Sequence, residues 1–258
     1  MSSILFEIKN SVGIIHLNRP DKFNAFNRDM SLLLQQKLDE CNSDKDVRCV
    51  YITGTGKAFS SGQDLSEVVN PNGPNTATIL SEHYNPLIKK IRELQKPVVA
   101  AVNGITAGAG ANIALCCDII VASKSASFVQ AFSKIGLIPD CGGTFFLPRL
   151  IGWQKALALS MLAEKISADE AEKLGMIYKV FDDEIFLEES MKIADALAQM
   201  PTKALAYTKQ AFNQSCNNSL EQQLQAEEEF QIKATQTNDS KEGVQAFLEK
   251  RKPNFKGE

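Results

Sequence analysis

Two glycine-rich segments and one aspartate are the features of this sequence that could carry chemistry. The segments are residues 54–65, GTGKAFSSGQDL, and residues 103–112, NGITAGAGAN, and the aspartate is Asp140 in the run IPDCGGT. Small residues allow a ligand oxygen to approach the main chain closely. Segments of this kind either bind phosphate groups or present backbone N–H groups to a carbonyl oxygen.

Neither segment has the spacing of a nucleotide-binding loop. Gly56 and Lys57 are followed by Ala58 rather than Ser or Thr, and Tyr51 stands where a Walker loop requires glycine. In the second segment Ile113 replaces the third glycine of a dinucleotide fingerprint. No acidic residue follows at the distance of about 20 positions that this fingerprint needs. Both nucleotide-binding interpretations are therefore poor.

Exposed backbone donors are the remaining chemical interpretation of the two segments. The second segment leads into a predicted helix, whose N-terminus has unpaired N–H groups and the positive end of the helix dipole. Two such donors that converge on one carbonyl oxygen form an oxyanion hole. Spacing alone nevertheless favours tight turns. Taken alone, Asp140 likewise favours a turn or a helix cap near Gly143, and Cys141 favours a buried thiol because no histidine is placed to activate it.

The pattern along the chain predicts an α/β core that would position these residues. Asn27 can cap a helix with apolar positions at the 3.6-residue period, and from residue 186 to 250 the sequence is almost entirely helix-forming. Strand-like runs cover residues 12–17, 50–53, 97–102 and 118–121. Because helical segments separate these runs, parallel βαβ units are expected, followed by a helical C-terminal region.

Composition excludes several classes of protein. Of 258 residues, 44% are hydrophobic and 23% charged, as in ordinary globular proteins, and the net charge of −3 argues against a nucleic-acid partner. The six cysteines form no C-x-x-C pair, and both histidines lie far from them, so no metal site is expected. The sequence has no signal-peptide pattern and no apolar stretch of membrane-spanning length. A cytoplasmic protein without a membrane partner is predicted.

These motifs, taken together, resemble the enoyl-CoA hydratase/isomerase (crotonase) superfamily over essentially the whole chain. The matching runs, in chain order, are LNRP at 17–20, FSSGQDL at 59–65, VNG at 102–104, GAG at 108–110, GGT at 142–144 and FLEKR at 247–251. The resemblance implies a ββα spiral core over residues 1–195. It also implies a helical region over residues 196–258 that serves trimerisation and active-site cover, in a trimer or dimer of trimers.

The resemblance also implies an acyl-CoA substrate and stabilisation of a thioester enolate. It assigns the oxyanion hole to the N–H groups of Ser61 and Ala109 and the catalytic carboxyl group to Asp140. It implies no metal and no cofactor, since coenzyme A is part of the substrate. The residues expected to bind substrate are Ala25, Ser60, Gly62, Gln63, Asp64, Leu65, Gly110 and Phe132.

Departures from the family pattern bear on the reaction. The two glutamates that activate water in the hydratases correspond here to Asn112 and Phe132, so efficient hydration is not expected. Asp140 stands where hydratases commonly have glycine. This pattern is similar to the isomerases that act on 1,2-epoxyphenylacetyl-CoA, with Δ3,Δ2-enoyl-CoA isomerisation as a possible second activity. The alternatives are a broad-specificity hydratase, an aryl-CoA dehalogenase using Asp140 and His83, and a scaffold without activity.

Overall fold

A computed structural model describes residues 2–258 of the chain as two β-sheets surrounded by helices. The larger sheet has six strands in the order β1-β2-β3-β5-β7-β10, antiparallel between β1 and β2 and parallel elsewhere. Its strands are β1 (Ile4–Lys9), β2 (Val12–Leu17), β3 (Cys49–Gly54), β5 (Val98–Val102), β7 (Ile119–Ser123) and β10 (Lys179–Phe181). The expected α/β class is confirmed.

The smaller sheet has four strands in the order β4-β6-β8-β9. The pairs β4–β6 and β6–β8 are parallel, and β8–β9 is antiparallel. Its strands are β4 (Ala58–Ser60), β6 (Ile105–Ala107), β8 (Ser127–Val129) and β9 (Lys165–Ser167).

Helices connect the strands and form the C-terminal region. They are α1 (Arg28–Ser43), α2 (Leu65–Val68), α3 (Thr76–Thr78), α4 (Asn85–Glu93), α5 (Gly108–Leu115), α6 (Gly143–Ile151), α7 (Trp153–Leu162), α8 (Ala168–Lys173), α9 (Phe186–Ala198), α10 (Thr202–Ser215), α11 (Leu220–Thr235) and α12 (Asn238–Leu248). Pro20–Lys22 and Ala131–Ile135 are 3₁₀ turns, and Ile79–Tyr84 is π-helical. The predicted cap of α1 is confirmed, because the Asn27 side chain accepts a hydrogen bond from the N–H of Met30 at 3.0 Å.

The central strands β3 and β5 of the larger sheet are buried on both faces, which explains why they are largely apolar. Ile15, Ile52 and Ala100 belong to the main core, whereas Ile14 and Tyr51 belong to a second cluster that includes residues of α9. Successive strand residues alternate between these two clusters, as the two-residue period of a β-strand requires.

Helix α10 is joined to the core through charged side chains. The Lys209 ammonium group on α10 is 2.8 Å from Asp118, with only 6% of its side chain exposed, and the guanidinium of Arg48 donates to Thr202 at 3.0 Å. Helix α9 continues past residue 195 to Ala198, so the predicted boundary at 195/196 lies inside a helix. Within residues 2–258, no helix has the length and apolar character to cross a membrane.

The register of the smaller sheet brings the candidate site together. Ser60 pairs with Thr106 in the parallel pair β4–β6, and Ala107 pairs with Val129 in the parallel pair β6–β8. Because these three strands run in the same direction, the chain leaves all of them at one edge of the sheet. The loop after β4, the start of α5 and the segment leading to Asp140 therefore emerge as neighbours.

Candidate active site

The loop after β4 packs directly on the first turn of α5, and only glycine permits this approach. Gly62 has φ of +92°, and a Cβ there would lie 2.9 Å from the carbonyl oxygen of Ala107 and 3.3 Å from the nitrogen of Ala109. A Cβ on Gly110 would lie 2.6 Å from the Ser60 side chain. Contacts below 3.0 Å force atoms to move, so both glycines are required by the packing of the two loops.

One of the two backbone N–H donors predicted from the sequence is already hydrogen-bonded within the protein. The N–H of Ser61 donates to the carbonyl of Phe23 at 2.9 Å, so it is not available to a substrate. The N–H of Gln63 has no acceptor among residues 2–258. The N–H of Ala109 lies in the first turn of α5, where no intrahelical partner exists. From the first loop, the N–H of Gln63 therefore replaces that of Ser61 as the free donor, beside the N–H of Ala109 from the second loop, and Ser61 fixes the loop through its bond to Phe23.

Asp140 is anchored beside the same helix through its backbone. Its carbonyl oxygen accepts hydrogen bonds from the Asn112 side-chain amide and from the N–H of Gly143, both at 2.8 Å. Asn112 follows Ala109 by one helical turn on α5. Asp140 therefore lies next to the helix whose first turn carries a free N–H group.

The carboxyl group of Asp140 has the environment of a proton-transfer group. Its Oδ1 is buried and has no hydrogen-bond partner among residues 2–258. Burial raises the pKa of Asp140 above its ordinary value, and a hydrogen bond from Cys141 opposes this shift only in part. An acid whose pKa is raised toward neutrality can both accept and return a proton.

Asn112 has a positioning role that the sequence did not reveal. Its side chain is 1% exposed, and its Oδ1 accepts a hydrogen bond from Gln130 at 2.8 Å. A Cβ on Gly143 would lie only 2.3 Å from the Asn112 amide nitrogen, so the two segments are in close contact. Both ends of the amide are thus occupied by protein groups. In the sequence, the only sign of this role is that Asn112 is a polar residue within the otherwise apolar helix α5.

Phe132 forms an apolar surface at the start of α5. The residue is 6% exposed, and its Cζ lies 3.8 Å from the position of a Cβ on Gly108. Gly108 has φ of +51°, which favours glycine. An aromatic ring beside the free N–H groups lowers the local dielectric and strengthens their interaction with a developing negative charge.

Several of the residues predicted to bind substrate make hydrogen bonds that support the loop. Ser60 donates to the carbonyl of Asn24 at 2.9 Å, and Asp64 is 2.8 Å from the Arg19 guanidinium and accepts from the Ser66 hydroxyl at 2.6 Å. Burial by itself would raise the pKa of Asp64, but the hydrogen bonds from Ser66 and Arg19 outweigh it and lower the pKa. These groups keep the loop rigid.

The two remaining loop residues differ in exposure. The carbonyl of Ala25 accepts from Arg19 at 2.5 Å, and Ala25 itself is buried. Leu65 is half exposed. Direct substrate contact by the predicted residues stays a prediction.

His83, the histidine of the dehalogenase alternative, lies beside Arg28 at the N-terminal end of α1. Its Nε2 is 3.2 Å from the Arg28 guanidinium, and its carbonyl accepts from Gln35 on α1. Burial lowers the pKa of His83, and no hydrogen bond within residues 2–258 joins it to Asp140. Residues 2–258 contain no group of three or more His, Cys, Asp or Glu side chains arranged to hold a metal ion.

The fold and these loops define a family. The family described as Enoyl-CoA hydratase/isomerase matches residues 7–258, and the chain belongs to it. The protein is thus an enzyme of the class that acts on coenzyme A thioesters as isomerases or hydratases.

Relatives of both activities are similar to the chain over its full length. It is 44% identical to the 1,2-epoxyphenylacetyl-CoA isomerase of Escherichia coli strain K12, covering 100% of this chain and 99% of that protein. It is 43% identical to a protein of Rhodobacter capsulatus named probable enoyl-CoA hydratase, covering 99% and 98%. The solved structure of an enoyl-CoA hydratase from Bacillus anthracis matches with a TM-score of 0.92 at 33% identity, covering 99% and 100% of the two chains.

Proposed function

We propose that the protein is an isomerase that converts 1,2-epoxyphenylacetyl-CoA to its oxepin form and also shifts the double bond of 3-enoyl-CoA thioesters. One observation carries the proposal: Asp140 is held beside α5 by a bond from Asn112 to its main-chain carbonyl, while its carboxyl Oδ1 is buried without a partner. The 44% identity to an isomerase with this substrate in its name supports the choice of substrate.

In the proposed mechanism the thioester carbonyl oxygen accepts hydrogen bonds from the N–H groups of Gln63 and Ala109. Asp140 removes a proton from the carbon next to the carbonyl, and the electron pair of that C–H bond forms the enolate. The N–H donors and the N-terminus of α5 stabilise the enolate oxygen. Asp140 then returns the proton to a different carbon. With the epoxide substrate, the C–C bond shared by the epoxide and the six-membered ring also breaks, and its electron pair forms new double bonds of the seven-membered oxepin ring, so this step needs no external reagent. Substrate and product have the same atoms and oxidation level, so the reaction needs no cofactor beyond the substrate's own coenzyme A.

Hydration is the competing activity, and the name of the Rhodobacter capsulatus relative favours it. Water addition needs one group to activate water and another to deliver a proton. The Asn112 amide is bonded to Asp140 and Gln130, and Phe132 has no polar atom in its side chain. Asp140 alone cannot serve both roles at once, and a missing acid or base typically costs ~10²–10⁴-fold in rate.

Parallel turnover measurements distinguish the two activities. Purified protein is incubated with 1,2-epoxyphenylacetyl-CoA, with a 3-enoyl-CoA and with crotonyl-CoA, and the products are identified by mass spectrometry and by their ultraviolet spectra. We expect isomerised products from the first two substrates and only slow hydration of the third. Hydration of crotonyl-CoA with a kcat near ~10³ s⁻¹, the top of the usual enzyme range, would contradict the proposal.

We also propose that the chain assembles as a trimer or dimer of trimers in the cytoplasm. Large aromatic side chains lie exposed on one subunit, among them Trp153 at 71%, Phe212 at 70% and Phe247 at 82%. Exposed apolar surface of this kind favours association of subunits. Sedimentation at micromolar concentration tests the assembly, and a monomer would contradict it.

A further inference from the structure

The side chain of Gln63, whose N–H group is one of the two free donors, is fixed from both ends. Its Oε1 accepts a hydrogen bond of 2.6 Å from the Tyr84 hydroxyl, and its Nε2 donates to a carboxylate oxygen of Glu67 at 3.1 Å. The other oxygen of Glu67 accepts from the backbone N–H of Arg28 at 2.9 Å, at the N-terminus of α1. This chain of bonds connects the donor loop to the buried π-helical segment and to the N-terminus of α1.

Tyr84 is the more rigid of the two anchors. It ends the π-helical segment, is fully buried, and packs edge-on against Phe26 with ring centroids 6.3 Å apart. Burial raises the pKa of Tyr84 well above its ordinary value, so the hydroxyl group stays protonated at neutral pH and donates a hydrogen bond to Gln63. Glu67, in contrast, is partly exposed on the short helix α2.

We propose that Tyr84 is a positioning residue for the reaction: its hydroxyl group, acting through the Gln63 side chain, holds the Gln63 N–H in the direction of the thioester oxygen. This inference rests on the proposed function, because it assumes that the Gln63 N–H stabilises the enolate. Removing an oxyanion donor costs ~10²–10³-fold in kcat. Misdirecting a donor costs less than removing it, since some stabilisation remains.

Tyr84→Phe is the first test, because it removes one oxygen atom and leaves the ring in its packing site. We expect kcat for isomerisation to fall ~10-fold, a fraction of the loss for a removed donor, while KM changes little. Tyr51→Phe is the matched control: Tyr51 is 1% exposed, and its hydroxyl is 2.8 Å from Ser190, against α9. The control loses one buried hydroxyl in the same way but should keep the wild-type kcat.

A spectroscopic measurement separates positioning from a general loss of stability. Cinnamoyl-CoA has a conjugated thioester, and its absorbance moves to longer wavelength when the carbonyl is polarised by hydrogen-bond donors. We expect a red shift with the wild-type protein, the same shift with Tyr51→Phe and a smaller one with Tyr84→Phe.

Gln63→Met serves as a second variant, because it retains the backbone N–H group but lacks the side-chain amide that bonds Tyr84. Gln63→Met should show the same lower kcat and the same smaller red shift as Tyr84→Phe. The double variant should have a kcat close to that of either single variant, because both substitutions disrupt the same interaction. This variant keeps the inference testable if Tyr84→Phe does not fold.

The possible failures are distinguishable. If bound cinnamoyl-CoA shows no red shift with the wild-type protein, the oxyanion hole of the proposed function is refuted, and the role of Tyr84 with it. If the wild-type shift is present and both Tyr84→Phe and Gln63→Met retain it together with full kcat, only the role of Tyr84 is refuted.

Discussion

Replacing Asp140 with asparagine should stabilise the protein at neutral pH, because the wild-type carboxyl group is held in an unfavourable environment for its charge. Its Oδ1 is buried without a partner, and burial raises the pKa of Asp140 above its ordinary value of 3.8. The folded protein therefore binds this proton more tightly than the unfolded chain does. The resulting stability is fully present below pH 3.8 and is lost as the pH rises through the folded-state pKa.

The size of the effect follows from the unpaired oxygen. A buried neutral group without a partner costs about 1–3 kcal/mol, and a charged one costs more. Asparagine keeps the shape and removes the charge, so we expect Asp140→Asn to increase the free energy of unfolding by about 1–2 kcal/mol at pH 7. For a chain of this length each kcal/mol corresponds to about 2–4 °C in Tm. The gain should disappear below pH 3.8, where both side chains are uncharged.

Thermal denaturation of both proteins from pH 3 to pH 8 measures this difference. Asp64→Asn is the matched control, because hydrogen bonds from Ser66 and Arg19 outweigh the effect of burial and lower the pKa of Asp64. The ionised Asp64 carboxylate stabilises the wild-type protein above pH 3.8, and this stabilisation is lost as the pH falls through the folded-state pKa of Asp64. Asp64→Asn should therefore be less stable than wild type at pH 7. An Asp140→Asn protein that is equally or less stable than wild type at pH 7 would refute the reasoning.

Two further variants test the geometry of the loops. Gly62→Ala places a Cβ 2.9 Å from the carbonyl oxygen of Ala107 at a φ of +92°, so the two N–H donors should move apart. We expect kcat to fall ~10²–10³-fold while the circular dichroism spectrum is unchanged. Wild-type turnover would show that the glycine is not needed. Asn112→Ala removes the hydrogen bonds to Asp140 and Gln130, so the urea midpoint should fall by an amount equivalent to about 2–3 kcal/mol; an unchanged midpoint would contradict the role assigned to Asn112.

Much of the architecture could be predicted from local sequence patterns. The apolar runs of β2, β3 and β5 predict buried parallel strands, and Asn27 with the periodic residues after it predicts α1. These signals depend on residues close together in the chain. No local pattern marks the division between the core and the C-terminal region, because both sides of residue 195 are helix-forming and α9 runs through it to Ala198.

The candidate site shows where sequence reasoning stops. Glycine spacing and Asp140 pointed to segments that the fold brings together, but the free donor after β4 depends on which N–H groups are already bonded within the fold. Ser61 is bonded to Phe23, and this contact joins segments far apart in the chain. The same holds for the contact between Tyr84 and Gln63 and for that between Asn112 and Asp140. No local pattern specifies such pairs.

The kinetic comparison of wild-type and Asp140→Asn proteins tests the central claim most directly. Conversion of a 3-enoyl-CoA to the conjugated 2-enoyl-CoA is followed by ultraviolet absorbance, and binding of a non-reactive acyl-CoA is measured by calorimetry. Asparagine preserves the shape of the side chain but cannot accept the proton, so kcat should fall ~10²–10⁴-fold with Kd unchanged. Wild-type turnover by the Asp140→Asn protein would contradict the account.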